Sequence, residues 1–136
     1  MYQPHYDADR WTLFFVDGPL VDKDCFAGER NVFVCGGLQH PDKMAWVSGR
    51  NAPFAPAVAI GYRRTWKQVD GKAISFMVPD LDDPRRVLTG VVWLDLSPAD
   101  IERIEAFELG GGLRQRVEID VLVGDAVVRA ITYVEK

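Results

Sequence analysis

A carboxylate on the apolar face of a helix, and a bare Gly-Gly turn at the end of an apolar strand, are the features of this sequence best suited to chemistry. Taking about 100° per residue from Ile101, Ile104 lies near about 300°, Phe107 near about 240° and Glu108 near about 340°. Glu108 therefore falls inside the apolar stripe of its helix, while Glu102 and Arg103 sit on the opposite side and Glu105 at the stripe's edge. A carboxylate turned toward a core is costly without partners, and partial burial raises its pKa toward the range useful for proton transfer. Two structural readings stand beside this one. The helix end frays next to Gly110-Gly111-Gly112 and lets Glu108 reach water, or Arg114 or Arg116 neutralises it.

The second feature is Val32-Phe33-Val34-Cys35 running straight into Gly36-Gly37, followed by Leu38-Gln39-His40-Pro41. Adjacent glycines leave the backbone bare where the strand ends, so several NH groups can turn toward a small anionic or carbonyl-bearing ligand. The same junction also serves as a plain connection between strand and helix. Cys35, beside this turn and near His40, is a candidate nucleophile. An inert structural thiol is the ordinary reading of both Cys25 and Cys35, which are too few for a disulfide framework. His5 and His40 are the only histidines, and neither has a second ligand group at a metal-site spacing, so no zinc and no cofactor is expected.

The elements that must hold these residues follow from pattern. Residues 11–16 form an apolar run stopped by Asp17-Gly18-Pro19, a strand signal, and 20–30 are a polar surface connection. After the glycine turn, Pro41 at a first helical position and Gly49 as a stop bracket about two helical turns. Pro53 and Pro56 lead into one long strand-like stretch at 57–66. Asp70-Gly71 is the strongest hairpin signal and returns the chain through 72–78. A loop at 79–86 precedes a strand at 87–96, in which Gly90 signals a bulge or a close backbone approach. Ser97-Pro98-Ala99-Asp100 starts the helix that carries Glu108 and runs to about 107 or 108. Beyond the three glycines, 116–121 alternate between charged and apolar residues, and Gly124-Asp125 turns them into 126–134 with Asp120 opposite Arg129. About seven strands and two short flanking helices predict an α+β domain built on a small, mostly antiparallel β-barrel.

Composition bounds the class. With 136 residues, 48% hydrophobic and 26% charged, the chain fits one soluble domain. A net charge of -4, with Arg63-Arg64 and Arg85-Arg86 as isolated pairs, excludes a nucleic-acid surface. No apolar run is long enough for a membrane span, and 1–10 lack the order of a secretory signal, so a cytoplasmic location is expected.

Several of these segments, in order, resemble the γ-glutamylcyclotransferase-like superfamily, and within it the γ-glutamylamine cyclotransferase and plant avirulence-induced branch. Val32-Phe33-Val34-Cys35-Gly36-Gly37-Leu38, then His40-Pro41, is similar to that family's apolar strand running into Tyr-Gly-Ser/Thr-Leu. Gly61-Tyr62-Arg63-Arg64, Gly90-Val91-Val92-Trp93, Glu105-Ala106-Phe107-Glu108 and Ala130-Ile131-Thr132-Tyr133-Val134 resemble its later motifs. The resemblance divides the chain into an N-terminal extension with one added strand, 1–30, and a core, 31–136.

The resemblance implies a barrel with a pocket at the strand-to-helix turn and a small γ-glutamyl compound as substrate. The substrate's α-amine attacks its own γ-carbonyl and releases 5-oxoproline and an amine. It makes Glu108 the general acid and base, and makes Cys35, Gly36, Gly37, Leu38 and Arg114 substrate-binding, with the backbone NH groups of Gly36, Gly37 and Leu38 holding the substrate carboxylate or the oxygen that gains charge. Four positions depart from the family pattern: Cys35 stands for its tyrosine, Gly37 for its Ser or Thr, Arg114 for an aromatic residue and Leu109 for a glycine. Arg114 brings a cation to the pocket, where it binds a carboxylate or lowers the pKa of Glu108. A non-catalytic small-molecule binding protein on the same fold, and a Cys35-dependent activity, are the alternative readings.

Overall fold

The computed structural model describes residues 30–136. The expected strand at 11–16, Cys25, His5 and nearly all of the connection at 20–30 lie outside the described residues. Within them the chain forms seven strands and two α-helices: β1 (Val32–Val34), α1 (Pro41–Ser48), β2 (Phe54–Ile60), β3 (Tyr62–Val69), β4 (Lys72–Pro79), β5 (Val87–Trp93), α2 (Pro98–Leu109), β6 (Arg114–Val123) and β7 (Ala126–Glu135).

Five strands close a barrel in the order β1-β5-β2-β6-β7. Every pairing is antiparallel except the closing one, where β1 meets β7 in parallel at Val32 and Ile131. That closure is short in backbone pairing and is supplemented by side chains. The Ile131 amide donates to the Asn31 carbonyl (2.8 Å), Asn31 Nδ2 to the Arg129 carbonyl (3.0 Å) and Thr132 Oγ1 to the Phe33 carbonyl (2.9 Å). Closing the sheet removes its edges and gives the apolar strand residues a common interior. Val32, Phe33, Ala55, Val91, Val92, Trp93, Val121, Val128 and Ile131 are all buried, on both faces of the barrel wall, since neighbouring strand residues point to opposite faces.

The stretch expected as one strand at 57–66 is two. Gly61, at φ 88°, breaks it into β2 of the barrel and β3, which pairs only with β4 in a two-stranded ribbon. A left-handed backbone suits glycine and changes the chain's direction, which a pattern of apolar and polar residues does not reveal. The Asp70-Gly71 turn is as expected: both residues have positive φ, and Val69 pairs with Lys72. Gly90 is a close approach rather than a bulge, since its register with Ala57 is continuous and an added β-carbon would lie 2.4 Å from the Val34 carbonyl oxygen. The Asp120–Arg129 pair forms as the turn at 124–125 dictates, at 3.3 Å.

Both helices start and stop where their local chemistry requires. Pro41 opens α1 and Gly49, at φ 86°, ends it. Ser97 and Asp100 form a full capping box on α2: Ser97 Oγ accepts from the Asp100 amide (3.1 Å) and Asp100 Oδ2 from the Ser97 amide (2.9 Å). Asp100 also accepts from Arg50 Nε at 2.7 Å, and Arg103 Nη1 donates to the Ser48 carbonyl at 3.0 Å. These bonds tie the start of α2 to the end of α1.

Candidate active site

The turn after β1 is a single 3₁₀ turn, Gly37–Gln39. The Gln39 and His40 amides donate back to the Gly36 and Gly37 carbonyls, at 3.1 and 3.3 Å. Gln39 Nε2 adds a third bond to the Gly36 carbonyl at 3.1 Å. Trp93 Nε1, fully buried on β5, donates to the Leu38 carbonyl at 3.0 Å. The carbonyls of the turn are thus spent on holding its shape, while among the described residues the amides of Gly36, Gly37 and Leu38 have no protein acceptor. A rigid turn presenting unspent NH groups is a ready site for an anion or an oxygen gaining charge.

A cavity of about 350 Å³ opens beside that turn. Its lining includes Cys35, Gly36, Gly37, Leu38, Glu108 and Arg114, so the structure brings these six candidates to one space, while His40 and Arg116 do not line it. Glu108 reaches it from the last turn of α2. Its side chain is 16% exposed, and Arg114 Nε stands 3.8 Å from its Oε2. Of the two arginines expected as partners, Arg116 is engaged elsewhere: it donates twice to Glu105, at 3.0 and 3.3 Å. Glu105 also accepts from Tyr133 Oη at 3.1 Å, and burial together with that carboxylate pushes the Tyr133 hydroxyl far above its ordinary range.

Burial pushes the Glu108 carboxyl above its ordinary value of 4.5, and the nearby Arg114 and Lys43 cations cancel only part of that rise. Arg114 is not free to close on it. Its Nη2 donates to the Ser75 carbonyl on β4 at 2.8 Å, and its guanidinium stacks 4.8 Å from the Phe76 ring centroid. The cation is held near the carboxylate at a distance too long for a hydrogen bond, so the base is tempered rather than quenched.

Cys35 also lines the cavity, yet burial raises its thiol pKa, with the Glu108 charge adding to the rise and Arg64 and Arg114 opposing it. A thiol shifted this way holds little thiolate at neutral pH, which disfavours it as a nucleophile. His40 is exposed. Phe107, assigned to the apolar stripe from its helix angle, is instead 46% exposed and borders the cavity mouth. In the last turn of α2 Leu109 packs against the core while Phe107 and Glu108 line the cavity.

Residues absent from the sequence reading complete the lining. Lys43 enters from the first turn of α1, and Trp66, Ser75, Phe76 and Met77 come from the β3–β4 ribbon. The ribbon's strong hairpin signal located it in the chain but not over the glycine turn, because that placement depends on the change of direction at Gly61. No cluster of three or more His, Cys, Asp or Glu side chains suited to a metal occurs among the described residues.

Comparison with known proteins places this geometry in context. A solution structure of a protein from Arabidopsis thaliana is similar at 29% identity and TM-score 0.63, over 78% of this chain and 61% of that one. A yeast γ-glutamyl cyclotransferase specific to glutathione aligns at 12% identity and TM-score 0.59, over 78% and 69% of the two chains. An AIG2-like protein of Mus musculus aligns at 16% identity and TM-score 0.54, over 77% and 76%. The last two likenesses are of fold. This chain spans less than two thirds of the length of the Arabidopsis protein. No curated protein matches it in sequence. The family described as Gamma-glutamyl cyclotransferase, AIG2-like, matches residues 32–136, which include every described element from β1 to β7 and the whole lining of the cavity, and the chain belongs to that family.

Proposed function

We propose that this chain is a cofactor-independent γ-glutamyl cyclotransferase in which Glu108 is the general acid and base. The observation that carries this reading is the sharing of one cavity by the Glu108 carboxylate and the turn bearing the Gly36, Gly37 and Leu38 amides. The core at 31–136 would hold the whole site, with 1–30 as an extension, in a cytoplasmic protein.

The chemistry needs little more than these groups. A γ-glutamyl compound folded into the cavity brings its α-amine nitrogen to its own γ-carbonyl carbon, and closure of a five-membered ring requires no external nucleophile. Glu108 takes a proton from the α-ammonium group and frees the lone pair. The nitrogen–carbon bond forms as the carbonyl electron pair moves to oxygen, where the turn's amides stabilise the developing charge. When that pair returns, the bond to the leaving nitrogen breaks. The α-nitrogen sheds two protons in all and the leaving nitrogen gains two, carried by Glu108, so 5-oxoproline and an ammonium product leave and the carboxylate is restored. A carboxyl whose pKa burial raises is the stronger base for the first transfer.

Assay of 5-oxoproline release from a panel of γ-glutamyl amines and peptides tests the reading. Glu108→Gln is expected to lower kcat by about 10²- to 10⁴-fold, and an unchanged rate removes Glu108 from the mechanism. Binding without turnover is the second reading, favoured by the absence of side-chain hydroxyls at Cys35 and Gly37. It expects γ-glutamyl ligands to raise the unfolding temperature while no 5-oxoproline forms.

A further inference from the structure

Lys43 lines the cavity and lies over the glycine turn. A β-carbon built on Gly37 would meet Lys43 Nζ at 2.8 Å and Cε at 3.5 Å, so the lysine fills the space that a residue larger than glycine would take at 37. The Lys43 side chain thus sets an ammonium group against the turn whose amides are unspent. That ammonium lies 5.3 Å from the Phe107 ring centroid at the cavity mouth. It enters no ion pair among the described residues.

The charged side chains lining the cavity are Lys43, Arg114 and Glu108. With Glu108 ionised, two cations face one carboxylate. The γ-glutamyl group is itself a zwitterion, one ammonium and one carboxylate, and so leaves the surplus positive charge unanswered. A leaving group with a carboxylate answers it, an uncharged amine does not, and a leaving group with a second ammonium is repelled. Resting on the cyclotransferase reading of the site, we infer that Lys43 selects substrates whose leaving group carries a carboxylate, namely γ-glutamyl amino acids or peptides, over γ-glutamyl derivatives of uncharged or cationic amines. Lys43 and Arg114 then hold one carboxylate each, and the folded substrate lies between them with its α-ammonium toward Glu108.

γ-Glutamylglycine and γ-glutamylethylamide differ by a carboxylate in place of a methyl group, and the full chain is assayed with both. The wild-type kcat/KM is expected to favour γ-glutamylglycine by about 10- to 100-fold, the worth of one charge-assisted contact. Lys43→Met is expected to raise KM for γ-glutamylglycine far more than for the ethylamide and remove most of the preference, while Lys43→Arg retains it. Lys43 is exposed on α1, so these variants keep the fold. Equal treatment of the two compounds by the wild type, or equal loss on both in Lys43→Met, overturns the inference while leaving the cyclotransferase reading intact. If neither compound yields 5-oxoproline, calorimetric binding of the same pair decides the inference, and the panel assay decides the cyclotransferase reading. A preference for γ-glutamylglycine that Lys43→Met abolishes supports the inference, and no preference or no binding overturns it.

Discussion

Glu108 serves a proposed reaction at the expense of the fold, and the sign of its pKa shift shows how. A carboxyl whose folded-state pKa lies above 4.5 is favoured in its protonated form by the native structure. Its contribution to stability is therefore fully present below 4.5 and is lost as pH rises through the folded value. Above the folded value the ionised side chain opposes folding, because burial outweighs the Arg114 charge held 3.8 Å away and the Lys43 charge. Glu108→Gln, which lowers the rate in the proposed mechanism, is accordingly expected to raise the midpoint of thermal unfolding at pH 7, with the gain shrinking as the pH falls through the folded value and gone below 4.5. A variant less stable than the wild type at neutral pH would show that the Arg114 pairing outweighs burial. Proton acceptors in pockets commonly carry such a cost.

The elements matter through their ends. Glu108 is the next-to-last residue of α2, and its position is set by how firmly the other end of that helix is held. Asp100 is 4% exposed there. Burial alone would raise its pKa, but the Ser97 amide, Arg50 and the Ser97 hydroxyl together bring it below its ordinary 3.8. Its stabilising effect is thus present above 3.8 and is lost as pH falls through the lowered value. Ser97→Ala removes one half of the capping box, and urea unfolding is expected to show a loss of about 0.5–2 kcal/mol. The helix pair would remain tied by Arg50 and Arg103, so activity should fall far less than in Glu108→Gln. A loss as large as that of the catalytic variant would mean that the cap sets the carboxylate's aim as well as the helix's stability.

At the scale of the whole molecule, the barrel brings β1 and β5 together so tightly that one position has no room for a methyl group. A β-carbon at Gly90 would meet the Val34 carbonyl oxygen at 2.4 Å and the Phe33 ring at 2.7 Å. Gly90→Ala is expected to destabilise the fold by about 1–3 kcal/mol through overpacking, measured by chemical denaturation. Because Val34 leads directly into Cys35 and the glycine turn, the same change should also weaken substrate binding. An alanine variant of wild-type stability would mean that β1 can shift away from β5, and the turn with it.

Much of this arrangement was legible before any fold was known, because it rests on local physics. The capping box at 97–100, the helix stop at Gly49 and the turns at 70–71 and 124–125 follow from the conformational preferences of a few adjacent residues. The Asp120–Arg129 register follows from a turn of known length. Helix angles single out Glu108 for the same reason, and misplace Phe107 because a helix angle does not record which neighbouring elements cover each part of a helix face. Contacts between segments distant in sequence required the closed fold. The break at Gly61 turns the β3–β4 ribbon out of the barrel, which lets Ser75 and Phe76 anchor Arg114 beside Glu108. Lys43 drew no attention as a charged residue on a short helix. Only the packing of α1 against the turn carries its ammonium into the space above Gly37, since reach across a cavity is set by the relative placement of elements and not by the residues within any one of them.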